Sequence, residues 1–243
     1  MLRTGENAMT FPLKDNLLHQ GMPWQLANEL ENQVTSPNFS TLFGGSLAIN
    51  PLGLMNESGN LYRNIGNPIA GNGADTTLDI LAGIQLQAGA FDILGRGLMV
   101  SASGKFGATV SGNVVISLYI NPTMSGQTVT NGVISGGTVT STGSGVIIGT
   151  QALTAGAGVI VAANGWQLLS QFFKYGAAGA NTQYSQSAFI NGTGATLPHT
   201  GIQAPVFSTI AENAAMNLVL AASSSNSTAN EVILNCFEVT GFN

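Results

Sequence analysis

The sequence predicts an all-β protein: a jelly-roll-like antiparallel β-sandwich preceded by an N-terminal arm with one short α-helix. Three observations carry that expectation. From about Thr76 onward, apolar and polar residues alternate with a period of two. The alternating runs are short and separated by clusters of Gly, Asn and Ser. No long segment of helical period lies between them. Regular short strands with such punctuation indicate a sandwich or barrel, and the missing helices disfavour a parallel α/β sheet.

The helix comes first. Gly21-Met22-Pro23 interrupts the chain, and proline suits a first helical turn. Trp24, Ala27, Leu30 and Val34 then recur at helical spacing, and Ser36-Pro37 ends the run. Residues 37 to 74 are rich in Asn, Gly and Pro, with apolar residues only in short clusters. They read as an extended arm with little regular structure. The chain therefore divides into an arm and helix over 1–74, an arm of the kind that clamps a neighbouring subunit, and a sandwich over 75–243.

The strands follow in order. Leu98, Val100, Ala102 and Phe106 alternate with Met99, Ser101, Ser103 and Lys105. Val114, Ile116, Leu118 and Ile120 alternate with Val115, Ser117 and Tyr119. The turn signal Ser-Gly-Asn lies between these runs, so they are expected to form a hairpin. Trp166, Leu168, Ser170 and Phe172 make a further run, followed by a turn at Gly176–Gly179 and a strand over Thr182–Phe189. Val206–Ile210, Met216–Ala221 and Glu231–Val239 complete a set of eight or nine. Several runs are apolar on both faces, as in Leu168-Leu169 and Phe172-Phe173. One face fills the core and the other needs cover.

Composition narrows the function. The chain has 243 residues, 44% hydrophobic but only 7% charged, against roughly a quarter charged in an ordinary globular protein. No residue between Lys105 and Lys174 is charged, nor any between Lys174 and Glu212. Surface that poor in charge is expected to be covered by partner subunits. The net charge of −5, with six scattered basic residues, argues against nucleic acid, which needs clustered Lys and Arg. The first residues, MLRTGENAMT, lack the apolar core of a secretory signal. Gly145–Ala163 is uncharged and long enough to span a membrane, but its glycines favour two short strands and a loop.

No catalytic, cofactor-binding or metal-ligating constellation is legible, so the protein is not expected to be an enzyme. His19 and His199 have no second ligand at metal spacing. No nucleophile elbow is present. Carboxylates in the β region are sparse: Asp75, Asp79, Asp92, Glu212, Glu231 and Glu238. A glycosidase would need two of them to face each other. Trp166 and Cys236 are expected to be core residues. Glycine-rich stretches such as Ser135–Gly143 match no phosphate loop and are read as turns needing positive φ.

Some of these residues also carry a resemblance. Gly136-Gly-Thr-Val-Thr-Ser-Thr-Gly143, Gly165-Trp-Gln-Leu-Leu169 and Lys174-Tyr-Gly-Ala-Ala-Gly-Ala-Asn-Thr-Gln183 resemble a strand pair in virion proteins of tailed bacteriophages. The stretch from Ala211-Glu-Asn-Ala214 to Glu238-Val-Thr-Gly-Phe-Asn243 is similar as well. The resemblance covers roughly residues 75 to 243. It implies a C-terminal jelly roll, commonly a homotrimer on the particle exterior, which decorates or cements the capsid or forms a head fibre. Its partners would be itself and the major capsid protein or another virion protein. The alternative is a tail or baseplate protein that contacts host surface glycan. The resemblance brings no site residues, because the work of that group is contact.

Overall fold

The computed structural model describes residues 59–70, 77–91, 93–107, 113–153, 164–193, 196–225 and 231–242. The expected helix after Pro23 lies outside them. Among the described residues every regular element is a strand, and every pairing is antiparallel.

Eight strands set the architecture: β1 (Gly59–Ala70), β2 (Leu78–Leu86), β3 (Gly97–Phe106), β4 (Val114–Ile120), β9 (Val146–Leu153), β10 (Gly165–Lys174), β14 (Met216–Ser224) and β15 (Val232–Phe242). They pair first with last and inward from there: β1 with β15, β2 with β14, β3 with β10, β4 with β9. This is one long antiparallel ribbon rolled up, which is the jelly roll. One sheet runs β1-β15-β3-β10 and continues through β11 (Gln183–Thr193) to β12 (Thr196–Ile202); β13 (Val206–Ser208) also pairs with β11. The other contains β2-β14-β4-β9 and is extended beyond β2 by β5 (Thr123–Ser125), β6 (Thr128–Thr130), β7 (Val133–Ser135) and β8 (Thr138–Ser141).

Two expectations are corrected by this topology. The runs at 98–106 and 114–120 do not form a hairpin: β3 lies in the first sheet and β4 in the second. Rolling the ribbon places these consecutive strands in opposite sheets, and the same alternation then aims both at one core. The arm reading of 37–74 also fails for Gly59–Ala70, which is the first strand of the roll and pairs along β15. The compact unit that holds the sandwich runs from Ala48 to Asn243. By contrast, the expected turn between β10 and β11 is present, and these strands pair from Trp166↔Asn191 to Lys174↔Gln183. The strand expected at the start of Gly145–Ala163 is β9.

The core lies between the sheets. Leu98, Val100, Ala102 and Phe106 of β3 join Val114, Ile116, Leu118 and Ile120 of β4, with Trp166, Leu168, Phe172, Phe189 and Phe237. Burying each large apolar side chain fully is worth about 1.5–3 kcal/mol. Strand β14 is buried on both faces. On the face turned away from that core, Val219 and Ala221 of β14 cluster with Ile80, Tyr119, Ile134 of β7 and Val139 of β8, the last two on strands that pair edgewise with β2. The turn between β7 and β8 needs glycine. Gly137 has φ +73, and a Cβ there would meet Gln127 N at 2.4 Å.

Candidate functional site

The first sheet is different on its outer side. In-register rows cross it: Phe173–Tyr184–Phe207, then Met99–Gln171–Gln186, then Ser101–Leu169–Ala188–Ile202, then Ser103–Gln167–Ile190. None of these side chains is charged. Phe207 is 66% exposed and Ile202 74%, and Met99 is exposed too. Charge on this side, among the described residues, lies toward its margins: the Arg63–Glu238 ion pair (3.0 Å) on β1 and β15, and exposed Lys105 near the end of β3.

One end of this face is aromatic. The Phe207 ring meets Tyr175 edge-on at 5.8 Å and Tyr184 at 5.4 Å. Tyr184 Oη donates to Gln186 Oε1 at 3.1 Å. The turn carrying exposed Ile93 and Leu94 is tied to the same end, because Gly95 N–H donates to the Lys174 carbonyl and Lys174 N–H to that of Arg96. Exposed Ile93, Leu94, Tyr175 and Phe207 are thus gathered at one end of the sheet.

Beneath this end sits a buried polar centre. The alternation that points Trp166, Leu168 and Phe172 inward also points Lys174 inward, where its side chain is fully buried. Glu212 meets it with both oxygens, Oε1 at 2.6 Å and Oε2 at 2.7 Å from Nζ. Gln183, opposite Lys174 on β11, donates from Nε2 to Glu212 Oε1 (2.7 Å) and to the Ile210 carbonyl (2.8 Å). Its own Oε1 accepts the Ile210 N–H (2.8 Å) and the Ser208 hydroxyl (3.1 Å). Asn181 Oδ1 accepts the Glu212 N–H, and Thr182 Oγ1 accepts from Lys174 Nζ. Buried charges persist only when paired and hydrogen-bonded in this way.

The residues singled out in the sequence are scattered. His19, Asp75 and Asp92 lie outside the described residues. His199 is on β12 opposite Asn191. Asp79 is on β2, paired with Ala222 and Thr138. Glu231 is buried and accepts the Ser224 hydroxyl. Among the described residues no three His, Cys, Asp or Glu side chains converge to hold a metal. Trp166 is in the core and stacks on Phe189. Cys236, expected to be buried, is only half-buried, because it falls on the outer face of β15 opposite Ser103. No helix among the described residues is long and apolar enough to cross a membrane. The Lys174–Glu212 contact was not read from sequence, although an inward-phased lysine at the end of an alternating strand was the signal for it.

No family model matches the chain, and no curated protein does. Among solved structures, a protein of unknown function from Shewanella oneidensis MR-1 aligns over 85% of this chain and 94% of its own, at 12% identity and a TM-score of 0.30.

Proposed function

We propose that this chain is a structural virion protein of a tailed bacteriophage, a capsid decoration or cement protein that binds the outer shell and assembles with itself as a homotrimer. The observation that carries the reading is the outer face of the first sheet. It is broad, uncharged across its middle, and exposes Phe207, Ile202 and Met99. The corresponding face of the second sheet buries its apolar side chains in a cluster with Ile134 and Val139, whereas among the described residues the first sheet's face leaves apolar side chains exposed, which suits contact with a neighbour. A chain of net charge −5 meets its own copies with least repulsion through such an uncharged surface. Cementing then works by adding buried area across subunit boundaries, and the lack of a basic cluster suits a protein that faces away from packaged DNA.

Two measurements test this. Light scattering on the purified chain should give three times the protomer mass, and a monomer at micromolar concentration overturns the self-assembly. Electron microscopy of particles carrying a labelled copy should place the label on the head exterior. A label on the tail favours the second reading, a tail or baseplate protein that binds host glycan. What supports that reading is the ring cluster of half-buried Tyr184 with exposed Tyr175 and Phe207 beside the Gln186 amide, since rings next to hydrogen-bonding groups are what sugars require.

A further inference from the structure

We propose that Lys174 and Gln183 become joined by an isopeptide bond, formed by the protein itself with Glu212 as proton carrier. The two residues are Cα partners across β10 and β11, both inward-facing and buried. The Lys174 amine and the Gln183 amide nitrogen are held by the same carboxylate oxygen, Glu212 Oε1, at 2.6 and 2.7 Å. The Gln183 carbonyl oxygen receives two donors, the Ile210 N–H at 2.8 Å and the Ser208 hydroxyl at 3.1 Å. An amine, an amide with a doubly polarised carbonyl, and a carboxylate touching both nitrogens are the parts that amide exchange needs. Three of these contacts exceed what a plain ion pair calls for: two Glu212 oxygens would satisfy Lys174 without any glutamine beside it.

The step balances without a co-reactant. Glu212 takes one proton from the Lys174 ammonium and leaves a neutral amine. The nitrogen lone pair attacks Gln183 Cδ, the new C–N bond forms, and the carbonyl π pair moves onto Oε1, where the Ile210 and Ser208 donors stabilise it. Glu212 returns its proton to Nε2, the carbonyl reforms, the Cδ–Nε2 bond breaks, and ammonia departs. The proton left on the new amide nitrogen goes back to the Glu212 carboxylate. The products are a neutral secondary amide, ammonia and a neutral carboxylic acid, so a buried ion pair is replaced by uncharged groups. Burial of the Lys174 and Glu212 side chains keeps out water, which would otherwise hydrolyse the same amide. The bond closes the turn 175–182 and fixes the base of the aromatic end above it.

The proposal is independent of the virion reading and needs only the folded full-length chain. Intact-mass spectrometry should show the protein lighter than its sequence by one ammonia. Succinimide formation at any of the four Asn-Gly pairs, Asn72-Gly73, Asn131-Gly132, Asn164-Gly165 or Asn191-Gly192, loses the same mass, so fragmentation must locate the loss. The expected product is a branched peptide joining Lys174 to Gln183, with no tryptic cleavage after Lys174. Glu212→Gln keeps the shape but cannot carry the proton, and its mass should equal its sequence. Wild-type protein with full mass and a linear, trypsin-sensitive Lys174 overturns the proposal outright, and that measurement requires no variant. A crosslink that persists in Glu212→Gln overturns the role given to Glu212.

Discussion

Glu212 grips the Lys174 ammonium with both carboxylate oxygens, at 2.6 and 2.7 Å, where neither side chain meets water. Glu212→Ala removes both the carboxylate partner of Lys174 and the proton carrier of the proposed bond, so the ammonium stays unlinked and stranded in a low-dielectric site, which costs about 3–5 kcal/mol. Glu212→Ala is therefore expected to lower the urea midpoint steeply. The exposed pair Arg63–Glu238, with Arg63 half-exposed, is a built-in comparison, because surface pairs contribute about 0–1 kcal/mol. Equal midpoints for Glu212→Ala and Arg63→Ala would show that the buried centre adds no stability.

That contact shows where the sequence is readable and where it is not. Alternation from Trp166 to Phe172 gives the strand and its inward face, because a two-residue period is local. Lys174 follows the same phase, so its burial was within reach. Its partner was not, since Glu212 lies 38 positions on and outside any strand, and only the rolled topology brings it there. Topology also explains the false hairpin. The inward residues of β3 and β4 look alike whether the strands pair in one sheet or face each other across the core. Strand β1 was hidden for another reason. It is an edge strand rich in Gly and Asn, and Pro68 falls within the register shift between Ile65 and Ile69, the kind of place where a sheet tolerates proline. Its membership comes from backbone pairing with β15 rather than from a side-chain pattern.

Gly104 provides a second prediction. It is half-buried near the end of β3, between β15 and β10, and a Cβ there would meet the Ile233 carbonyl oxygen at 1.9 Å and Trp166 Cζ2 at 2.8 Å. The first of these atoms is backbone and cannot rotate aside. Gly104→Ala is expected to cost about 1–3 kcal/mol or more through strand displacement. Gly165→Ala, one strand away, has only the Gly104 carbonyl oxygen at 3.6 Å, so its melting temperature should stay near that of the wild type. Similar losses for both would locate the effect in strand propensity instead.

Alkaline pH should weaken the fold. Burial raises the Tyr119 phenol above its ordinary 10.0, against a smaller lowering by the hydrogen bond from Ser117, and burial raises Tyr62 as well. The folded state holds these protons more tightly than the unfolded chain does. Stability is therefore complete below pH 10 and falls as the pH rises past the unfolded value toward the folded ones. Denaturant midpoints between pH 8 and 11 should decline at the upper end, and Tyr119→Phe should flatten that decline. An unchanged slope in the variant would assign the loss to other groups.

Phe207 separates folding from assembly. Its ring is 66% exposed and leans on Tyr175 and Tyr184 rather than on the core. A carboxylate there removes little buried area, so Phe207→Asp should shift the melting temperature by no more than surface changes do, within about 0.5 kcal/mol. At an interface the same change is severe, because each copy would bring a negative charge into an apolar contact with no basic side chain among the outer-face rows to meet it. Ile202→Asp, farther along the same β11 edge of the face, tests how far the contact extends. Light scattering should report monomers for Phe207→Asp with an unchanged circular dichroism spectrum. If trimers survive both substitutions, subunits meet elsewhere, and the aromatic end is free for a different partner.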